Sequence, residues 1–252
     1  MQTTPTQLKS KTISATQELL SVAIGKKAQI ILTAEAQHTI LCDVAESAEL
    51  NLIRLITDAS APGETLSATV QENGVLNMWE IIFTQNATIE TTIHLHGVRA
   101  RIHHRSIIFG TGTTNITLLP TAIHHAPETS SKLDAKIIVK DSAHVRYNGM
   151  VDMRNNARGS EGHLEQRALI LSDTAKVSAI PGLEIGTNDV RASHAASMTR
   201  IDQDQLFYAA SRGITTESAV YMIAEGFLKP LIHTIPDQKL QKMLIKKIAE
   251  LL

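Results

Sequence analysis

Hydrophobic and polar residues alternate in short runs along most of this chain, as in the segments Thr88 to His96 and Lys136 to Val139. A period of two places apolar side chains on one face of a β-strand, whereas an amphipathic helix repeats its apolar positions every three to four residues. The pattern therefore predicts strands from about residue 25 to about residue 195.

A short motif recurs within this region. The triplet of alanine, any residue and an aliphatic residue begins at Ala28, Ala48, Ala68 and Ala87, at spacings of 20, 20 and 19 residues. Such a repeat is typical of solenoids, in which short strands bury their apolar faces by stacking at about 4.8 Å. The sequence therefore predicts an all-β core that forms a right-handed parallel β-helix. A sandwich of antiparallel strands is the alternative, because Asn73-Gly74 is also a good hairpin turn.

The spacing of apolar residues changes to three and four after about residue 200. It predicts helices at Gln203 to Ser211, at 215–228 with Thr215 or Thr216 as the N-cap, and at 237–251. A further short helix is predicted within Leu8 to Ile24, where it would cap the first turn of the solenoid.

These elements divide the chain into three parts. Residues 1–24 are predicted to be an N-terminal cap segment, residues 25–200 the β-helix core, and residues 201–252 a C-terminal α-helical domain.

Composition narrows the classes of function. The 252 residues include 24 Lys and Arg against 25 Asp and Glu, so a formal net charge of -1 argues against a nucleic-acid partner. The sequence has no run of about 18 apolar residues, so no membrane span is predicted. The first residues lack the basic and apolar pattern of a secretory signal. A cytoplasmic location is therefore expected. The single cysteine, Cys42, excludes an intramolecular disulfide and a cysteine-only cluster site within one chain.

Eleven histidines are many for this length. His94 and His96 lie two residues apart in a predicted strand, so their rings project from the same face and are candidate metal ligands. Further histidines follow at intervals of roughly 20 residues and could stack as a ladder of imidazoles on successive turns. They are His103, His104, His124, His125, His144 and His163. The simpler alternative is stacked or exposed histidine without a metal, with adjacent histidines on opposite faces of a strand.

Motifs that mark common enzyme sites are missing from the sequence: it has no glycine-rich phosphate loop and no Gly-x-Ser-x-Gly elbow. Asp134, Asp141 and Asp152 are spread over the later turns, where a carbohydrate-active β-helix enzyme would place a catalytic pair. Aspartates in turns more often accept hydrogen bonds from their own backbone. The chain is therefore predicted not to be an enzyme.

Seven segments in the later part of the chain resemble, in the same order, the core and C-terminal region of the SufB/SufD family. They are Arg154 to Ser160, Leu169 to Asp173, Ile180 to Ile185, Asp189 to Ala196, Asp204 to Tyr208, Ser211 to Ile214 and Glu225 to Phe227. The resemblance implies a parallel β-helix with flanking helices that acts as a scaffold subunit for iron–sulfur cluster assembly.

The resemblance also implies a site. Family members usually have a cysteine where this chain has Ala192, two residues before the histidine matched by His194, near the subunit interface at which a cluster forms. His194 is therefore a candidate ligand of a transient iron–sulfur cluster at a dimer interface, while Ala192 supplies no thiolate. Lacking the sulfur-handling cysteines expected of SufB, the chain is more similar to SufD.

Two partners follow from the resemblance. One is a SufB-like subunit or a second copy of this chain, and the other is a SufC-like ABC-type ATPase bound by the C-terminal helices. The apolar side chains expected to contact a partner are Met222, Phe227, Leu240, Met243, Leu244 and Ile248. Helix 237–251, with an apolar stripe and a lysine-rich flank, is the better candidate for this contact.

Overall fold

Strands from the first 200 residues alternate between two packed sheets in the computed structural model, which describes residues 7–13, 17–34, 39–57, 63–84 and 86–252. The first sheet contains, in spatial order, β1 Gln7–Ile13, β3 Lys27–Ala34, β5 Glu49–Ile56, β7 Val75–Ile82, β9 Arg101–Gly110, β11 Ser130–Val139, β14 Ser160–Ile170 and β17 Val190–Arg200.

The second sheet is formed by the strands between these. It contains β2 Gln17–Val22, β4 Thr39–Val44, β6 Gly63–Val70, β8 Asn86–Leu95 and β10 Asn115–His124, followed by two short strand pairs side by side, β12 His144–Tyr147 with β15 Lys176–Ala179 and β13 Met150–Met153 with β16 Gly182–Ile185.

Neighbouring strands in both sheets run parallel, so the predicted parallel β-helix is confirmed and the antiparallel sandwich is wrong. Asn73 and Gly74 do not close a hairpin. They lie between β6 and β7, which belong to opposite sheets.

The period suggested by the alanine triplets is also wrong. Residues that are hydrogen-bonded between successive turns differ in number by 26 for Asn51 and Asn77, by 29 for Asn86 and Asn115, and by 31 for Asn115 and Arg146. Each turn comprises one strand in each sheet and the two connections between them. The alanine triplets misled because they fall in both sheets: Ala28 lies in β3 of the first sheet and Ala68 in β6 of the second.

The true period is visible at one corner of the solenoid, where one residue per turn has a positive φ. These residues are Gly25, Ser47, Asn73, Arg99, Glu128 and Gly159. Their backbone N–H groups donate to the next turn, as Ser47 does to the Glu72 carbonyl at 2.8 Å and Asn73 to the Val98 carbonyl at 3.0 Å. The corners are thereby held in register by main-chain bonds.

Two apolar cores stabilise the protein. The first fills the space between the sheets and includes Leu50 and Leu76 from the first sheet and Leu66 and Ile93 from the second. The second lies on the outer face of the first sheet, where the helices cover it. This explains why buried and partly buried residues alternate at the start of β5, whereas every residue from Leu52 onward is buried, since both faces of the strand are covered there.

Three helices follow the solenoid: α1 Gln203–Ser211, α2 Thr216–Ile232 and α3 Gln238–Leu251. Thr215 caps α2 by accepting from the Ser218 N–H, and Asp237 caps α3 by accepting from the Leu240 N–H. All three predicted helices are confirmed. α2 continues past its predicted end at 228, through Pro230, because Leu231 and Ile232 are buried against the sheet.

The predicted helix within Leu8 to Ile24 is wrong, because the described residues of this segment form β1 and β2. Leu20 and Val22 are buried and Leu19 is exposed, which is the period of a strand. Residues 1–6 and 14–16 of the predicted cap segment lie outside the described residues. None of the helices in the described part of the chain is long and apolar enough to cross a membrane.

Candidate functional site

β17 forms one end of the first sheet and carries the predicted ligand His194. It pairs with β14 along one edge, and in the described part of the chain no strand pairs with its other edge. Its residues from Ser193 to Arg200 are exposed. A free edge of a parallel sheet offers a row of unpaired N–H and C=O groups to another chain.

His194 lies in register with Leu164, whose side chain is fully buried in the interior core. Residues in register on neighbouring strands point to the same face, so His194 continues an interior row at the end of the solenoid, where it is exposed. Ala192, two residues earlier, points to the same face and packs against the interior core. The structure thus places the predicted cluster ligand at the open end of the sheet.

A buried ion network lies deeper in the same interior. The guanidinium of Arg54 donates to Glu80, and its Nη2 donates to Glu64 Oε2 at 2.7 Å. Thr91 Oγ1 and His104 Nε2 lie 2.7 and 2.8 Å from the Glu80 carboxylate. All of these side chains are buried. Charged residues at strand positions that otherwise carry apolar side chains were the available sequence signal, and the sequence analysis missed it.

Burial by itself raises the pKa of Glu80, but the charges of His104 and Arg54 and the hydrogen bonds from His104 and Thr91 outweigh it and lower the pKa to about 2. The carboxylate is therefore ionised at neutral pH and holds the positive charge of Arg54 inside the protein.

Three histidine rings meet on the outer face of the second sheet. His94 near the end of β8 and His96 just after it lie beside His125, which follows β10 on the next turn. The ring centroids of His96 and His125 are 4.2 Å apart, and His94 Nδ1 lies 3.1 Å from His125 Nε2. One potential ligand nitrogen from each ring lies within 4.8 Å of the others. The structure thus adds His125 to the predicted pair.

The pKa values of two of these rings are depressed. Burial lowers the pKa of His94, with a further contribution from the charge of His96. Burial also lowers the pKa of His125, followed by the charges of His96, His94 and Arg154. Both rings therefore favour the neutral form, which is the form that binds metal ions.

The remaining histidines do not form the predicted ladder. His104 and His124 point into the solenoid, where His104 contacts Glu80 and His124 contacts Thr129 and Ser131. His103 points outward and lies 2.8 Å from Asp134. The prediction that adjacent histidines lie on opposite faces of a strand is confirmed for His103 and His104. The ladder failed because the turns are longer than the triplet spacing suggested and the histidines are divided between two sheets and two faces.

A second group that could hold a metal ion consists of Asp134, His163 and Glu165. Each of these side chains already has a protein partner through at least one of its polar atoms. Asp134 lies 3.0 Å from Lys132, Glu165 lies 2.6 Å from Arg167, and His163 lies 2.8 Å from Ser193. This group is therefore a weaker ligand set than the three histidines.

The aspartates considered for a glycosidase lie apart. Asp134 is in β11 of the first sheet and Asp152 in β13 of the second, where it pairs with Arg154 at 2.6 Å. Asp141 lies in a turn with a φ of 59° and accepts from the Gly112 N–H. Since the three occupy two sheets and a turn, the fold does not assemble a carboxylate pair from them.

The apolar stripe of α3 is used within the chain. Leu240, Leu244 and Ile248 are buried in the outer core, so they are not free to contact a partner as the sequence suggested. Met222 and Met243 are 56% and 48% exposed. Phe227 is partly buried under the Lys136 ammonium group, which lies 5.0 Å from its ring centroid.

The most exposed aromatic residues of the described part of the chain lie in α1 and were not among the predicted contact residues. Phe207 is 78% exposed and Tyr208 is 61% exposed, and none of the residues of α1 is buried. Two adjacent aromatics in a chain that is only 3% aromatic were the available signal. We call Phe207, Tyr208 and Met222 the helical patch.

Comparison with known proteins places these features in context. A sequence profile described as SUF system FeS cluster assembly, SufBD core domain, matches residues 6–227. The iron–sulfur cluster assembly protein SufD of Bacillus subtilis (strain 168) is 32% identical over 159 residues, which is 63% of this chain and 36% of the relative.

A SufBD family protein of Staphylococcus saprophyticus is 37% identical over 114 residues, which is 45% of this chain and 24% of the relative. A SufBD family protein of Staphylococcus haemolyticus is 36% identical over the same length. The aligned part therefore spans well under half the length of these relatives.

Proposed function

Because the chain belongs to the SufBD core family of the SUF system for iron–sulfur cluster assembly, we propose that it is a SufD-like, non-catalytic scaffold subunit. The observation that carries the proposal is the exposed free edge of β17, which bears His194 at the open end of the solenoid. An edge strand of this length is a liability for a protein that works alone, whereas a subunit interface covers it.

The proposed partner at β17 is a SufB-like subunit or a second copy of this chain. Addition of a strand to a free sheet edge supplies main-chain hydrogen bonds, and alternate side chains supply specificity. Partner residues would then lie beside His194. The cluster is the cargo of this interface, and the chain offers it one imidazole. Since Ala192 has no sulfur and Cys42 is buried in β4 of the second sheet, any thiolate ligand has to come from a SufB-like partner.

The second proposed partner is a SufC-like ABC-type ATPase, and the helical patch is the surface offered to it. Exposed aromatic and methionine side chains are enriched where proteins bind one another. The patch lies on helices that follow directly after β17, so a movement of bound ATPase subunits would reach the proposed interface through a short, folded connection.

The interface is tested by measuring the molar mass of the purified chain, alone and with a SufB-like subunit of the same host, by light scattering. A dimer is expected in at least one sample. Ala195→Lys, which places a charge on the exposed β17, is expected to abolish it. The matched control Thr65→Lys changes an exposed residue of the interior strand β6 and leaves the dimer intact. A monomer in both samples overturns the interface.

The role of His194 is tested by anaerobic reconstitution of the dimer with iron and sulfide, followed by visible absorption. His194→Ala is expected to lower the amount of cluster formed. His144→Ala removes an outward-facing histidine from β12 of the second sheet and is the control. Equal cluster yields from the two variants contradict a ligand role for His194 without affecting the dimer result.

The docking surface is tested by co-purification with the ABC-type ATPase of the same host. Phe207→Asp is expected to remove binding. Leu19→Asp changes a side chain that is 69% exposed at the other end of the solenoid, and binding is expected to persist. If the ATPase binds both variants equally, the helical patch is not the docking surface.

A further inference from the structure

We propose that His94, His96 and His125 form a binding site for a divalent first-row transition metal ion, with zinc as the ion that fits best. The site lies on the outer face of the second sheet, whereas β17 and His194 belong to the first sheet. It is therefore independent of the scaffold function proposed above.

Strand register brings the three rings together. His94 and His96 lie two residues apart, so the alternation of the strand directs both to the same face. The pairing of His124 with Leu95 then brings the following residues, His125 and His96, side by side. This depends on the length of the turn between them, since one residue more or fewer would bring another side chain beside His96. The cluster is thus built by strand register and does not depend on flexible loops.

The distances between the ring nitrogens fit a zinc site. Zinc binds imidazole nitrogen at about 2.0–2.1 Å, so two ligand nitrogens of a tetrahedral site lie about 3.3 Å apart. His94 Nδ1 and His125 Nε2 are 3.1 Å apart. The third nitrogen lies within 4.8 Å of the others, and His96 is exposed. Rotation of its ring can therefore close the remaining gap without disturbing the packing of the core.

The chemistry of the three ligands selects the class of metal ion. Three neutral imidazoles favour zinc and similar borderline ions over magnesium or calcium, which prefer oxygen. The open side of the cluster leaves a position for water, as in other sites with three histidines.

One nearby charge opposes a cation. Arg154 lies close enough to lower the pKa of His125. However, its guanidinium contacts the Asp152 carboxylate at 2.6 Å, so its charge is largely balanced.

The test uses the full chain without a histidine tag, stripped with a chelator and titrated with zinc chloride in a calorimeter. One zinc ion per chain is expected. His125→Ala is expected to weaken binding by more than about tenfold, since loss of a direct ligand costs at least as much as loss of a group that orients one. Cobalt serves as a second probe, because its visible spectrum reports a tetrahedral site.

His144→Ala is the matched control. His144 is an outward-facing histidine of β12 in the same sheet, in register with the exposed Asn115. This variant is expected to bind zinc like the unchanged protein. Thermal melting of each stripped protein checks that the variants remain folded. Absence of stoichiometric binding in the unchanged chain, or equal binding by His125→Ala and His144→Ala, overturns the proposal.

Discussion

Arg54 and Glu80 form an ion pair inside the solenoid, on adjacent strands and in direct register. Their side chains are 2% and 1% exposed. These two charges are kept in the interior by each other, by Glu64 and His104, and by the hydrogen bonds around them, since an unpaired charge in an apolar medium costs several kcal/mol.

We therefore expect Arg54→Met to lower the free energy of unfolding by about 3–5 kcal/mol, because it leaves Glu64 and Glu80 buried without the guanidinium that donates to both. The midpoint of denaturant unfolding measures this. Arg99→Met is the control: it removes an arginine that is 45% exposed and contacts Glu72 and Glu128, and its expected effect is below about 1 kcal/mol. Equal losses from the two variants contradict a special role for the buried pair.

Stability is expected to fall in acid because of Glu80. Burial opposes its ionisation, but His104 and Arg54 lower its pKa from 4.5 to about 2. Since the folded protein binds the proton more weakly than the unfolded chain, the stabilisation is fully present above about pH 4.5 and is lost as the pH falls towards 2. The loss corresponds to about 3 kcal/mol.

Denaturant midpoints between pH 5 and pH 2 test this. Glu80→Gln is expected to make the loss of stability with falling pH less steep. Glu90→Gln, a change at an exposed glutamate of β8, is expected to leave that loss unchanged. A decline that is as steep in Glu80→Gln as in the unchanged protein would show that other groups cause it.

Two neighbouring residues of α3 provide a test of helix docking. Leu244→Ala is expected to destabilise the protein by about 2–5 kcal/mol, because Leu244 is 1% exposed within the outer core. Met243→Ala changes the preceding, 48% exposed side chain and is expected to alter stability by less than about 0.5 kcal/mol. The fluorescence of the single tryptophan, Trp79, reports the outer core directly, since it lies there and donates to Thr234.

Two glycine-to-alanine substitutions are expected to change the stability of the fold in opposite directions. A Cβ atom at Gly97 would lie 1.8 Å from the Glu72 backbone nitrogen, so Gly97→Ala forces adjacent turns apart and is expected to cost more than about 2 kcal/mol. At Gly226 in α2 a Cβ would meet nothing within 4 Å, and Gly226→Ala is expected to gain about 0.5–1 kcal/mol. Thermal melting of both variants tests the pair.

Much of the fold followed from local patterns. Alternation predicts the strands, and a threonine N-cap at 215 or 216 places the start of α2, where the structure has Thr215, because these signals depend on residues within a few positions of each other. Because side chains alternate between the two faces of a strand, the sequence also places His94 and His96 on one face. The first segment was mistaken for a helix, since a short apolar run near Leu19 and Leu20 suits either structure.

The sequence by itself therefore determined the strands, the helical tail, the family resemblance and the shared face of His94 and His96, and it favoured the parallel β-helix over the antiparallel sandwich without deciding between them. Only the tertiary structure decided which residues lie side by side on successive turns, because the turn lengths vary. The six corner residues with positive φ do not mark the period in the sequence, since only two of them, Gly25 and Gly159, are glycine. Register brings His125 to the histidine pair and Glu80 to Arg54. Packing of α3 against the solenoid buries Leu244. The apolar stripe of a helix does not show in the sequence whether the chain itself or a partner covers it.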